Sequence, residues 1–495
     1  MKILKKILTQ HSAAILVLTF ALCLRIPLLN GSFWLDEAAQ ALESIRPLSQ
    51  QFDIIPDFQP PLLHLITHFA SLVSHQEWWL RLIGAVIPGI VTIWAVYQIA
   101  DKIFDRQTAI IASLLLSTNS FHIFFSQELR PYSLPCMFAG LSWLSLFRIK
   151  NHKHIKNWIP YIGLTLAGLY SSYLYPFLIL SQIIYVFWQK KNWLKNFLIS
   201  GAAVFLGYLP WLPAFFKQLA TGQELRSQLP GWDEVVSLTQ LKSLPLTYGK
   251  LIFGLIDIDI NLFFVSAALV IALLSLFLFK QSKNKQKLTP IILWIFVPLI
   301  TAWLVSFMVP VVRPKRVLFL LPAIYLFLAY LIKISLTKTS VRKTTGIALL
   351  LILFSFNLAT TAQYWLKPHY QREDWQGLHQ EIEQRFPEKQ TVALFSFDKP
   401  FPSWRWYNQE SIPSLATGEY YIKNVINLRD QLKPIFDYEF VLIFDYLRDL
   451  TDPEDELLQA VESYGFKKIG EMSRPNIGIV HIYSKTELVS VYLEN

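Results

Sequence analysis

Eleven long apolar stretches, separated by short tracts rich in lysine and arginine, constrain this chain more than any other feature. An apolar stretch of about 20 residues, wound as a helix, matches a hydrocarbon core ~30 Å thick. Inside that core a helix satisfies its own backbone groups, which an isolated strand or loop cannot do. The stretches lie near 10–29, 78–100, 107–125, 131–148, 158–170, 174–188, 194–216, 262–280, 288–307, 317–333 and 344–362. Within 158–188 the run Tyr170-Ser171-Ser172-Tyr173-Leu174-Tyr175-Pro176 reads as a turn between two short spans. The fold class expected is an α-helical polytopic membrane protein.

Charge between the spans sets an orientation. Lys2, Lys5 and Lys6; Arg148, Lys150, Lys153 and Lys156; Lys190, Lys191 and Lys195; Lys280, Lys283, Lys285 and Lys287; and Lys333, Lys338, Arg342 and Lys343 all fall on one side when eleven spans are counted. The positive-inside rule makes that side cytoplasmic, with the N-terminus. No small-x-small cleavage site follows the first segment, so it reads as a retained span rather than a signal peptide. Residues 30–77, 126–130, 217–261, 308–316 and everything after about 363 are then expected outside.

The composition, 53% hydrophobic and only 16% charged, agrees with a membrane protein. The net charge of +10 conceals a division: residues 1–366 hold 31 Lys and Arg against 14 Asp and Glu, whereas 367–495 hold 14 against 21. The basic residues are mostly the inner flanks of spans, so anionic lipids are the expected counterions and nucleic acid is not an expected partner. Cys23 and Cys136 both lie in apolar segments and read as packing residues.

Two domains follow: a membrane domain over 1–363, with a long first outer loop at 30–77, and an acidic extracytoplasmic domain over 364–495. In the latter, Trp375, Leu378, Ile382 and Phe386 share one helical face, 390–397 and 439–445 read as strands, 454–464 as an amphipathic helix, and 478–484 as a last strand. This is a small α/β unit. It has no glycine-rich phosphate loop, no Cys/His metal spacing and no nucleophile elbow, and reads as a docking or substrate-shaping cap.

Three constellations on the outer side could carry chemistry. Phe33-Trp34-Leu35-Asp36-Glu37-Ala38 sets two adjacent carboxylates just beyond the first span, where acidic groups are costly unless they have a task. The plain alternative for Asp36 is a charge in the first turn of a helix. Gln59-Pro60-Pro61-Leu62-Leu63-His64 follows in the same loop, and 62–73 has the content of a helix lying along the membrane surface. Ser126-Gln127-Glu128-Leu129-Arg130-Pro131-Tyr132 joins two spans, and Glu128 with Arg130 could form a structural ion pair or line a site. In Val309-Pro310-Val311-Val312-Arg313-Pro314-Lys315-Arg316, three cations sit outside, against the rule the other tracts obey. They call for an anion, either outer-leaflet headgroups or a phosphate gripped by the arginine fork. A carboxylate that takes a proton from an attacking hydroxyl, and cations that neutralise a departing phosphate, together equip a surface for group transfer from a lipid phosphate.

In their order, Leu35-Asp36-Glu37-Ala38, Gln59-Pro60-Pro61-Leu62, Gln127-Glu128-Leu129-Arg130-Pro131-Tyr132 and Arg316-Val317-Leu318-Phe319-Leu320-Leu321-Pro322 resemble the membrane glycosyltransferases of the GT-C fold, in particular the glycosyltransferase 39 and protein O-mannosyltransferase group. The likeness spans roughly 10–335, and Arg372-Glu373-Asp374-Trp375 is similar to a segment found after the last span in bacterial members. The resemblance implies an enzyme of a bacterial inner membrane. It would move a sugar from a polyprenyl-phosphate donor to a lipid, glycan or protein acceptor on the extracytoplasmic face. It assigns Asp36 as catalytic carboxylate with Glu37 assisting or ordering the loop, Glu128, Arg130 and Tyr132 to the donor site, and Arg313, Lys315 and Arg316 to its phosphate. Gln59 departs from the His that many members carry there; His64 one turn on is a second candidate for that position, although a His packed within its helix is the plainer reading. No spacing fixes a metal, although a divalent metal is compatible with the fold. A transporter or flippase of lipid-linked sugars is the rival class. It would be expected to show internal repeats and helices broken at mid-membrane; the sequence shows no convincing repeat, and the candidate residues lie at span ends rather than centres.

Overall fold

The structure is a computed structural model, and it describes residues 2–54, 58–229, 240–255, 262–282, 284–309, 311–337, 341–422 and 429–485. Lys283, Pro310 and Lys338 of the tracts above lie outside the described residues. Two compact units emerge, one from the described parts of Met1–Leu29, Pro47–Gln218 and Ser237–Tyr370, the other from those of Asn30–Arg46, Leu219–Val236 and Gln371–Asn495.

The first unit is helical. A helix coincides with each expected span: Lys2–Cys23, Ile87–Ile103, Arg106–Thr118 with Ser120–Phe125, Ser133–Arg148, Ile159–Leu169, Tyr175–Gln189, Leu194–Tyr208, Leu262–Lys280, Lys285–Val305, Leu321–Leu336 and Val341–Leu366. Among the described residues, six helical segments are long and apolar enough to cross a membrane by themselves: Glu77–Ile103, Lys191–Glu224, Leu262–Lys280, Lys285–Val305, Pro314–Leu336 and Val341–Leu366.

The span at 107–125 breaks at Asn119, whose carboxamide oxygen caps the next turn by accepting from the His122 amide at 2.9 Å. The same carboxamide donates to Tyr325 Oη at 2.9 Å, and Asn357 donates to Leu115 O at 2.9 Å. These bonds, made by fully buried side chains, tie three helices together. The turn expected near 170–176 is also present. There the Tyr175 ring lies against Gly168, where a Cβ would come within 2.1 Å of the ring. Its hydroxyl donates to Phe138 O and meets Ser142 Oγ, both at 3.0 Å.

The second unit is α/β, and its C-terminal part carries a five-stranded sheet. Its strands are β1 (Thr391–Phe395), β2 (Ser414–Ala416), β3 (Phe440–Phe444), β4 (Lys467–Arg474) and β5 (Gly478–Ser484), in the order β2-β1-β3-β5-β4. β1 pairs in parallel with both β2 and β3, while β5 runs antiparallel to β3 and β4. Every residue of β1 and β3 is buried because both faces are covered. Trp375, Leu378, Trp404 and Phe444 build the core on one face; Leu394, Leu432, Ile443 and Leu457 build it on the other. The helix predicted from Trp375, Leu378, Ile382 and Phe386 is Trp375–Arg385, and the one predicted at 454–464 is Glu456–Ser463.

Replacing Gly168 by valine is expected to displace the Tyr175 ring, break its two hydrogen bonds and cost about 1–3 kcal/mol. Thermal inactivation of the detergent-solubilised protein measures the loss.

Candidate active site

Segment 126–133 links two helices of the first unit and is held from three sides. Gln127 Nε2 donates to Arg25 O at 2.8 Å and Pro27 O at 2.6 Å, and Ser133 Oγ donates to Ala85 O at 2.8 Å. Gly89 makes the approach possible, since a Cβ there would lie 2.4 Å from Ser126 Oγ. Behind the segment, the fully buried Arg25 donates from Nη2 to His122 Nδ1 at 2.7 Å and from Nη1 to Ala21 O at 2.8 Å. Because Arg25 is the donor, the neutral His122 ring carries its proton on Nε2. Reading by motif missed Arg25; its signal is a lone arginine inside an apolar run, Leu24-Arg25-Ile26.

Glu128 and Tyr132 are buried and Arg130 is half-buried. Tyr132 packs edge-on against Phe125 at 5.1 Å, and the Lys315 ammonium stands 5.4 Å from the Tyr132 ring centre. Arg313, Lys315 and Arg316, all half-buried, open the short 3₁₀ helix Pro314–Leu320. The chain ahead of it is anchored by Ser306 Oγ, which accepts from Val312 N at 2.9 Å. Burial first, and the facing Arg316 second, lower the Arg313 guanidinium from its ordinary value. Positive charges thus crowd one another beside Tyr132, an arrangement that an anion would relieve. Tyr132 of the one motif and Arg313 and Lys315 of the other, separate in sequence, come together here.

Gln59 and His64, from the other loop motif, bond to each other, Nε2 to Nε2, at 2.8 Å. His64 is fully buried on helix Leu62–Ser71.

The carboxylate pair belongs to the second unit. Trp34 precedes helix Leu35–Ser44, so Asp36 and Glu37 both stand in its first turn, where the helix dipole favours negative charge. Asp36 is half-buried. Glu37 is fully buried and pairs with Arg372 Nε at 3.2 Å. Glu373, next in the chain, accepts from Trp375 Nε1 at 2.6 Å, from Tyr446 Oη at 2.8 Å and from Leu35 N at 3.4 Å. Its own carbonyl accepts from Ser32 Oγ at 2.7 Å, and Phe33 N donates to Tyr407 Oη at 2.6 Å. Burial pushes the Glu373 carboxyl up to about 7, with Asp36 adding to the rise while the three donors oppose it. Among the described residues, no three His, Cys, Asp or Glu side chains gather as a metal site.

The architecture matches solved structures along nearly its whole length. ArnT from Cupriavidus metallidurans, bound to undecaprenyl phosphate, aligns with 98% of this chain and 98% of its own at a TM-score of 0.58 and 11% identity. The chain has the GT-C fold. The archaeal oligosaccharyltransferase AglB from Archaeoglobus fulgidus, in complex with an inhibitory peptide and a dolichol-phosphate, shares this GT-C architecture over 96% of the chain and 74% of its own, at a TM-score of 0.55 and 11% identity. Residues 58–214 match the family described as dolichyl-phosphate-mannose-protein mannosyltransferase. No curated protein matches the sequence. The expected GT-C membrane fold with a small C-terminal α/β domain is therefore observed.

Two outcomes follow from the second unit. Arg372→Ala leaves Glu37 buried without its cation and is expected to destabilise helix Leu35–Ser44 by about 3–5 kcal/mol, and adding Glu37→Gln should recover part of that loss. Native-state hydrogen exchange of the helix amides reads both. The second concerns pH: folded Glu373 holds its proton up to about 7, whereas the ordinary value is 4.5. Between those values the folded unit binds more protons than the unfolded one, so stability falls as pH rises, and the cost is complete above the folded value. Glu373→Gln is expected to raise the unit's stability by on the order of 2–3 kcal/mol above neutrality and not at all in acid, read by the same exchange measurement.

Proposed function

We propose that the protein is an integral membrane glycosyltransferase that moves a sugar from a polyprenyl-phosphate carrier to a hydroxyl-bearing acceptor. The observation that carries this reading is the crowding of Arg313, Lys315 and Arg316 beside Tyr132 at the mouth of a GT-C helix bundle. Anion recognition is what such a cluster does, and the arginine fork binds two phosphate oxygens at once. The bound carriers of the two structural relatives, undecaprenyl phosphate and a dolichol-phosphate, support a lipid phosphate as that anion.

In this reading Asp36 accepts the proton of the acceptor hydroxyl as its oxygen attacks the anomeric carbon. The bond from that carbon to the phosphate oxygen breaks, and the three cations take up the charge left on the phosphate. Glu128, Arg130 and Tyr132 shape the donor pocket. Glu37, buried against Arg372, orders the first turn that presents Asp36. The lysine-rich tracts support an orientation with the N-terminus in the cytoplasm of a bacterial cell and the reaction on the opposite face of its inner membrane. The acceptor is a lipid, a glycan or a protein.

The test is transfer of labelled sugar from synthetic polyprenyl-phosphate donors by protein reconstituted in lipid nanodiscs. Asp36→Asn is expected to lower kcat by about 10²–10⁴ with donor binding retained, because general base catalysis contributes on that scale. Arg313→Ala is expected to raise the KM for the donor by about tenfold or more, the worth of one charge-assisted pair. Wild-type rates in Asp36→Asn would remove the base assignment. Translocation of the lipid-linked sugar without transfer would favour a flippase.

A further inference from the structure

The parallel strands of the second unit end where α/β folds present function. From β1 the chain passes through helix Pro402–Asn408 to β2 on one side; β3, on the other side of β1, is entered from Arg429–Leu432 and Lys433–Asp437. Trp404 packs on one face of the sheet, Leu432 and Ile435 on the opposite face. The connection therefore reverses between β1 and β3, and in open α/β sheets the crevice beyond the carboxyl ends at such a reversal is where ligands bind. Here that crevice holds the protein's own residues. Tyr446, just past β3, donates to Glu373, and Tyr407, on the helix that follows β1, accepts from Phe33 N. Phe33 also meets Trp406 edge-on at 5.6 Å, and Trp375 lies 5.2 Å from Tyr446 and 6.2 Å from Phe401. The switch point grips Glu373 and the turn that leads into Asp36.

We propose that Glu373 is a positioning residue for the Asp36 carboxylate, acting from this switch point. Its carbonyl fixes Ser32, and its carboxylate fixes the Leu35 amide at the head of the turn that carries Asp36. The proposal rests on the reading of Asp36 as the base. It also gives the α/β domain a part in the chemistry instead of a passive covering role.

The groups that face the Glu373 carboxyl are the Tyr446 phenol, the Trp375 indole, the Leu35 amide and, through space, Asp36. Arg372, next in the chain, is engaged with Glu37. Tyr446 is itself pushed well above its ordinary value by burial and by Glu373, so it stays a donor. The one facing group that changes charge around neutrality is thus Glu373 itself. When it ionises, the acceptor that steadies the turn carrying Asp36 becomes charged and holds that turn more firmly.

The experiment compares full-length wild type with Glu373→Gln, which keeps the size of the side chain and removes its charge. Wild-type kcat with a polyprenyl-phosphate sugar donor is expected to rise by about tenfold through an inflection near neutrality. Glu373→Gln is expected to lose the inflection with an unchanged KM for the donor. Superimposable pH profiles overturn the proposal. A second arm needs no activity: hydrogen exchange at Leu35, corrected for its intrinsic pH dependence and referred to helix Trp375–Arg385, is expected to slow about threefold between pH 6 and 8 in wild type and not in Glu373→Gln. Equal Leu35 profiles in the two proteins overturn the positioning role, whatever the transfer assay shows. Wild-type protein that has the Leu35 response but transfers no sugar overturns the glycosyltransferase reading, and with it the base that Glu373 would position, while the hold of Glu373 on Leu35 stands.

Discussion

Lipid gives a polar side chain nothing to bond to, and each buried polar group left without a partner there costs several kcal/mol. The helical unit is organised around that penalty. Asn119, Tyr325 and Asn357 bond to one another where a span breaks, so the break is tolerated. Arg25 is buried to the last atom, yet it has His122 and the Ala21 carbonyl as acceptors, and its own carbonyl takes a bond from Gln127. The interrupted span and the buried arginine thereby fix segment 126–132, which brings Tyr132 beneath Lys315.

The same cost governs the second unit, where protein rather than lipid excludes water. Glu37 is fully buried and answered by Arg372, and both carboxylates of the pair stand in a helix's first turn, where the helix dipole favours negative charge. Glu373 is the exception that makes the arrangement responsive. Three donors hold it, but their combined effect falls short of its desolvation, so its charge is poised near physiological pH. A group held in this balance reports small changes in its surroundings to whatever lies next to it.

The spans were legible because length and apolar content are local properties, and β1 and β3 because burial on both faces writes an unbroken apolar run. β4 was not legible. Of Lys467–Arg474 only Met472 is buried, since an edge strand lies exposed and lysines there discourage pairing with other chains. Three-residue β2 leaves no period to read. At the site, the candidate side chains stood out as costly charges near a membrane, but their partners did not. Arg372 and Glu373 lie more than 300 positions from Asp36, and nothing in local spacing connects them.

That separation has a consequence for how the protein is made. Helix Leu35–Ser44 leaves the ribosome early, but the residues that bury Glu37 and hold Leu35 begin at Gln371. At typical synthesis rates they emerge roughly 15–65 s later. Until then the acidic turn lacks its arginine, and a chain that stalls before the last span cannot complete it. The turn around Asp36 is therefore completed only when the C-terminal residues have arrived.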